Sequence, residues 1–201
     1  MPGKFAALCR NLTEEQKLIV RKIRLGGLLS IPSMPIQRML VESLADNFNE
    51  MNRTFNLRGY VIPMSTWDMY CVLGLFDEGE KIEISRKQAD PTLFNLYKEK
   101  GDTAITFKYM EERIPREADE VHFTRLFVLF AIGTILAPSS KEFVGSSYLH
   151  LVADVSKIKG LNWVRFTIDH LSEHLAMFKK SRRTGLAGNL AFLQVIFFEI
   201  V

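Results

Sequence analysis

The sequence predicts a mainly α fold: one domain over residues 1–201, built as an irregular multi-helix globular array, with one small β element near 55–62 and a second candidate strand at 81–84. Three observations carry this reading. Apolar residues recur at helical spacing through most of the chain. Capping signals, a Ser or Thr followed three residues later by a carboxylate or amide, introduce two of those windows. Only around Phe55 to Ile62 does the pattern change to separated apolar residues on either side of Arg58-Gly59, the mark of a hairpin.

Taken in order, Thr13 and Gln16 form the first capping box and start a helix with Leu18, Ile19, Ile23 and Leu25 as its apolar stripe; Gly26-Gly27 supplies the stop. Pro35 suits the first turn of a second helix bearing Ile36, Met39, Leu40, Leu44 and Phe48. After the hairpin, Ser65 and Asp68 cap a short helix that Gly74 closes, and Asp77-Glu78-Gly79 is a turn. Asp90-Pro91 opens another helix with Leu93, Leu96 and Tyr97 on one side, ended by Gly101, and a polar link follows over 111–120. From Glu120 to Ala137 the chain is nearly all apolar after Arg125, as expected of a central buried helix, and Pro138 ends it. Ser147 to Ala153 reads as a short helix, and Asn162 as the N-cap of a long one through Phe178. A last apolar helix, Asn189 to Val201, reaches the final residue with no stop signal, so the chain is expected to be part of a longer architecture. Internal repeats and low-complexity segments are not found.

Composition narrows the class. A chain of 201 residues with 47% hydrophobic residues, 15 Phe and 24% charge buries a good-sized core. Two cysteines, Cys9 and Cys71, give neither a disulfide framework nor a Cys-based metal site, and a reducing compartment is expected. The longest apolar run, Leu126 to Ala137, is well short of the roughly 20 residues a spanning helix needs, so no membrane partner is expected. The basic N-terminus resembles a transit peptide, with Glu14 and Glu15 against that reading, so organellar import is the weaker expectation beside an intracellular site.

Chemistry is sparse. His170 and His174 stand four apart on one helix beside Asp169 and Glu173, the spacing at which two imidazoles share a metal, but no Glu follows His170 directly and no third ligand is indicated. The favoured reading is a pair of histidines at the edge of a packed helix, with no bound metal. A nucleophile elbow, a phosphate loop and paired carboxylates are all missing, so no catalytic residue and no cofactor is expected. Gly185 to Gly188 precede a helix whose N-terminus suits an anion, although a tight interhelical connection is the simpler reading. Trp67, Trp163 and the group Phe192, Phe197 and Phe198 read as core, with part of the last an association surface if the chain continues.

Charge is uneven. The net charge of +3 conceals a first 40 residues with seven Lys or Arg against two Glu. Lys17, Arg21, Lys22 and Arg24 fall on the first capped helix, and Lys179, Lys180, Arg182 and Arg183 follow the long one. These eight are the candidate site. Either they are solvated helix faces, or they converge into a patch for an acidic partner, nucleic-acid phosphate or an acidic protein segment. A protein partner is the first expectation and nucleic acid the alternative; the oligomeric state is left open.

Two stretches carry a family resemblance. Phe55 to Gly79, FNLRGYVIPMSTWDMYCVLGLFDEG, resembles the plant mobile domain family, also called aminotransferase-like, in its extended segment, Ser-capped helix, Leu-Gly-Leu and acidic-Gly turn. It departs at Arg58-Gly59, where the family has Gly-Glu, and at Trp67 to Tyr70, where it has Leu-Glu-Asp-Val, which marks a divergent branch. Phe127 to Glu199 is similar in its buried helix ending at Ala137-Pro138, its Asn162-Trp163 helix start, its basic run and its Gly188-Asn189-Leu190 followed by a Phe-rich helix, features of relatives found beside SUMO-protease-like domains. The resemblance implies a transposon-derived, non-catalytic interaction module, acting in the nucleus in silencing or genome maintenance, with phosphatase-like partners in some cases. It supplies no catalytic residues.

Overall fold

The computed structural model describes residues 2–84, 90–181 and 185–200. The protein is 61% helical with a small antiparallel sheet, the mainly α architecture expected. At its centre lies α7 (Glu120–Ala131), whose residues from Leu126 to Ala131 are all buried and which runs directly into a π-helical turn, Ile132–Leu136. Two details explain that turn. The Thr134 hydroxyl donates 2.6 Å to the Phe130 carbonyl, and Gly133 lies where a Cβ would come within 2.4 Å of the Phe107 ring.

Helices pack around this core from both ends of the chain. α1 (Pro2–Arg10) is not among the helices the capping signals announce, yet Phe5, Leu8, Cys9 and Leu12 have helical spacing; Phe5 packs 5.8 Å from the Phe127 ring and 6.1 Å from that of Phe130. α2 (Glu14–Lys22) opens on the expected Thr13–Gln16 capping box. Gln16 is buried because it works twice: its Oε1 accepts from Thr13 N, and its Nε2 donates to the carbonyls of Ile114 at 3.1 Å and Glu117 at 3.2 Å. Val20 and Ile23 face inward and Leu18 faces water, so the apolar stripe is rotated from the expected one. The reversal after α2 is made by Arg24 at φ 64, not by Gly26-Gly27. Gly27 serves a close approach instead, since a Cβ there would lie 2.2 Å from the Gly74 carbonyl oxygen and two backbones meet at this point.

α3 (Arg38–Asp46) starts after Pro35 instead of on it, and buries Val41, Leu44 and Ala45 while Met39 is 86% exposed. Phe48 belongs to β1 (Phe48–Asn49), which pairs with β2 (Thr54–Leu57), which in turn pairs with β3 (Tyr60–Pro63), all antiparallel. The hairpin is as read: Arg58 and Gly59 turn with φ 51 and 89, the two positive values a two-residue connection requires. Phe48 and Phe55 lie side by side in the register, rings 5.2 Å apart, and fix the sheet to the core.

α4 (Thr66–Leu73) has the expected Ser65–Asp68 capping box and ends at Gly74 in the left-handed conformation. The candidate strand at 81–84 is not one. Glu80 makes one parallel bridge to Leu161, and the chain beyond it is held by buried Ile82 and by His150, whose Nε2 lies 3.0 Å from the Glu83 carbonyl. Anchoring to a loop and a side chain replaces a ladder. α5 (Pro91–Tyr97) has Asp90 as its N-cap. Part of the expected polar link is helical, α6 (Phe107–Arg113) and a 3-10 turn, because Phe107, Met110 and Ile114 are drawn into the core. β4 (Ile105–Thr106) pairs with β5 (Phe143–Val144), after which α8 (Leu149–Ala153), α9 (Trp163–Lys180, with Asn162 as N-cap) and α10 (Leu190–Ile200) complete the array. No described helix is long and apolar enough to cross a membrane.

Candidate interaction surfaces

The basic residues singled out in the sequence do not form one patch among the described residues. On α2, Lys17 pairs with Glu14 at 2.8 Å and Lys22 with Glu120 at 2.6 Å, and Arg24 lies 3.8 Å from Glu78. Arg21 lies on α2 with its side chain against Gly26. At the far end of α9, Lys179 donates 2.6 Å to the Phe48 carbonyl and Lys180 pairs with Glu50 at 3.1 Å. Arg182 and Arg183 lie outside the described residues. The turn bearing Glu78 is fastened to the start of α9, since Asp77 accepts 2.9 Å from Asn162 and pairs with Arg165. Arg24 therefore sits near one end of α9 and the Lys179–Lys180 pair at the other, about 25 Å away at 1.5 Å per helical residue.

The glycine turn before α10 is a connection. Gly188 N donates to the Pro138 carbonyl and Asn189 accepts from Phe192 N, so the helix N-terminus is already capped by the chain itself. Gly188, at φ 96, packs against Leu171 where a Cβ would clash at 2.8 Å.

His170 and His174 lie side by side, ring centroids 4.3 Å apart and planes tilted by 43°, along a cleft of about 550 Å³ between α9 and the segment at Ile82 and Ile84. Burial, with His174 adding to it, pushes the His170 pKa down to about 3, and burial lowers that of His174 as well. His170 Nδ1 is buried with no hydrogen-bond partner among the described residues. Asp169 is held elsewhere, 2.7 Å from Arg53, and no three metal-ligating groups converge among the described residues. The pair is packed against Phe166, whose ring centroid lies 6.5 Å from that of His170. Burial pushes the Cys9 thiol up to about 12, whereas Cys71 is an exposed free thiol.

The feature that sequence reading missed is an exposed aromatic ladder. Trp163 is buried core, with its indole N–H donating to the Ile158 carbonyl, but Trp67 is 67% exposed, which corrects its assignment to the core. Trp67 lies 5.3 Å from Tyr70 with ring planes 25° apart, and Tyr70 lies 5.0 Å from Phe76, itself 66% exposed. Helical phase held the signal: α4 buries Met69 and Leu73, and Trp67 stands two residues, about 200°, from Met69 on the wheel. Asp77 next to Phe76 is hydrogen-bonded to Thr66, next to Trp67, so ladder and acidic turn form one surface. Asn162 above all, with Thr66 and Arg165, holds the Asp77 carboxyl below its ordinary range.

A family of known sequences matches residues 1–194, its description being a domain of unknown function, DUF8566. The chain belongs to that family. Two proteins of Arabidopsis thaliana are distantly similar to it. One, a serine/threonine-protein phosphatase 7 long form homolog, is 25% identical over 90% of this chain and 14% of its own length. The other, Protein MAIN-LIKE 1, is 22% identical over 92% of this chain and 40% of its own length. The chain thus spans well under half of either relative. No solved structure matches.

Proposed function

We propose that this DUF8566 chain is a non-catalytic protein-interaction domain of the plant mobile domain kind, transposon-derived, and working in the nucleus in silencing or genome maintenance. The observation that carries the proposal is its similarity, over nine-tenths of its length, to minor parts of two different and much longer plant proteins. A unit built into larger chains in this way is a module, and a module acts through what it holds. The word phosphatase in one relative's name belongs to that protein as a whole, of which this chain matches 14%. The exposed Trp67–Tyr70–Phe76 ladder supports the same reading, because exposed contiguous aromatic area marks interaction sites and aromatic anchors dominate interface energetics.

The test is affinity capture from plant nuclear extract, using the native chain beside a Trp67→Ala/Phe76→Ala variant. The proposal expects a stoichiometric protein partner recovered by the first and lost by the second. Recovery of no stoichiometric partner by the native chain refutes it. A fluorescent fusion that stays outside the nucleus refutes the nuclear assignment alone. Nucleic-acid binding through the basic residues is the weaker reading, since those described cations that are paired spend their charge on Glu14, Glu120, Glu78 and Glu50.

A further inference from the structure

We infer that the aromatic ladder and the acidic turn beside it together dock a basic peptide segment of a partner protein, one presenting Arg or Lys to the faces of Trp67 and Phe76. The inference rests on the interaction reading above and names its ligand.

The two components are contiguous. Asp77 follows Phe76 and is hydrogen-bonded to Thr66, which precedes Trp67, so the Asp77 carboxyl joins the acidic turn to the segment that carries Trp67. Residues 76–83 carry Asp77, Glu78, Glu80 and Glu83 against Lys81, a net −3 in a chain of +3. Arg24 and Arg165 reach in from α2 and α9, which brings the sector to −1. Arg165 holds Asp77 at 3.5 Å, but the contacts of the two glutamates are loose: Arg24 lies 3.8 Å from Glu78 and Lys81 lies 3.9 Å from Glu83, with all four of these side chains largely exposed. Such exposed pairs are worth little and exchange readily, so an incoming guanidinium displaces Arg24 from Glu78 at small cost.

The rings supply the other half of the recognition. A cation over the face of Trp is attracted by the ring quadrupole, and Trp is the strongest of the three aromatic types. Arg is the better fit, because its planar guanidinium stacks on a ring and forks to a carboxylate at once. Stacking alone would also serve the bases of a single-stranded nucleic acid. Charge decides between the two: phosphates drawn along this ladder would meet Glu78 and Glu80, whereas a basic segment meets complementary charge.

The experiment measures fluorescence anisotropy of labelled hexa-arginine and hexaglutamate peptides and of oligothymidylate on the full chain. Tryptophan emission is a second readout, in which Trp67 responds and buried Trp163 does not. The arginine peptide is expected to bind at least about tenfold more tightly than the other two, and Trp67→Ala to weaken it by about tenfold. Glu78→Lys/Glu80→Lys, which leaves every ring in place, is expected to weaken it as much, so the outcome does not hang on one variant's folding. Equal or tighter binding of oligothymidylate overturns the inference, as does an arginine affinity indifferent to both variants. If partner capture needs Trp67 and Phe76 while the peptides do not differ, the basic ligand falls and the interaction reading stands.

Discussion

His170 gives the sharpest stability prediction. Its imidazole is largely buried on α9, Nδ1 inward and one edge on the cleft, with His174, Glu173 and Asp169 as its titratable neighbours on the helix and Tyr148 and Phe166 facing the same cleft. Burial holds its pKa at about 3 against an ordinary 6.5. The depressed value means that the unfolded chain takes up a proton that the folded chain refuses, so stability is full above about pH 6.5 and falls as pH drops from there towards 3. At about pH 5 the gap is roughly 1.5 pH units, and at about 1.4 kcal/mol per unit the loss is on the order of 2 kcal/mol relative to neutral pH. His170→Leu removes that loss and also removes a buried Nδ1 that has no partner among the described residues, so the variant is expected to equal or exceed the native chain at neutral pH. Urea unfolding followed by circular dichroism at both pH values measures the difference. His174 remains in the variant and leaves a residual slope, since burial depresses its pKa too. If native and variant chains lose the same stability between the two pH values, the burial argument for His170 is wrong.

Three further outcomes are expected. Gly27→Ala places a methyl against the Gly74 backbone and should cost about 1–3 kcal/mol or prevent folding, visible as a lowered denaturation midpoint. Gln16→Ala strips the Thr13 cap of its reciprocal bond and removes the side-chain donor of the Glu117 carbonyl, while the Ile114 carbonyl keeps only the Glu117 N–H, a loss of about 1–3 kcal/mol by the same assay. Trp67→Ala should change stability by no more than about 0.5 kcal/mol while Trp163→Ala costs about 3–5 kcal/mol, because one ring is on the surface and the other in the core.

The parts of the fold legible in the sequence are those fixed by local chemistry. The Thr13 and Ser65 capping boxes, the Arg58-Gly59 turn, the Asn162 N-cap and the buried α7 each depend on neighbours within four residues, and each is where the sequence puts it. The misses are tertiary. Gly27 reads as a helix stop until the Gly74 backbone is brought against it from 47 positions away. Residues 81–84 read as a strand, and only the arrival of Leu161 and His150 decides that they are tethered loop. The candidate site is legible only in its composition: the cations at 17–24 and 179–180 are where the sequence puts them, but which carboxylate each one meets depends on the packing of helices distant in sequence. Trp67 escapes for a different reason. Its residue type suggests core, and the phase of a helix of eight residues contradicts it.

Salt separates the two contributions to recognition at the ladder. A partner docked on Trp67 feels the charges within about one Debye length, 8–10 Å near physiological ionic strength, and not the net +3 of the whole chain, because the −3 of residues 76–83 is offset only in part by Arg24 and Arg165 beside it. Raising salt screens Glu78 and Glu80 against an arginine peptide but leaves ring stacking and apolar burial almost untouched. The arginine peptide should therefore weaken as salt rises and then level off at a residual affinity that Trp67→Ala abolishes. In Glu78→Lys/Glu80→Lys the salt dependence should flatten or reverse while the residual affinity persists, because the rings remain. A native chain whose peptide affinity is flat in salt would assign recognition to the rings alone, and the acidic turn would then be only the clasp that Asp77 makes with Asn162.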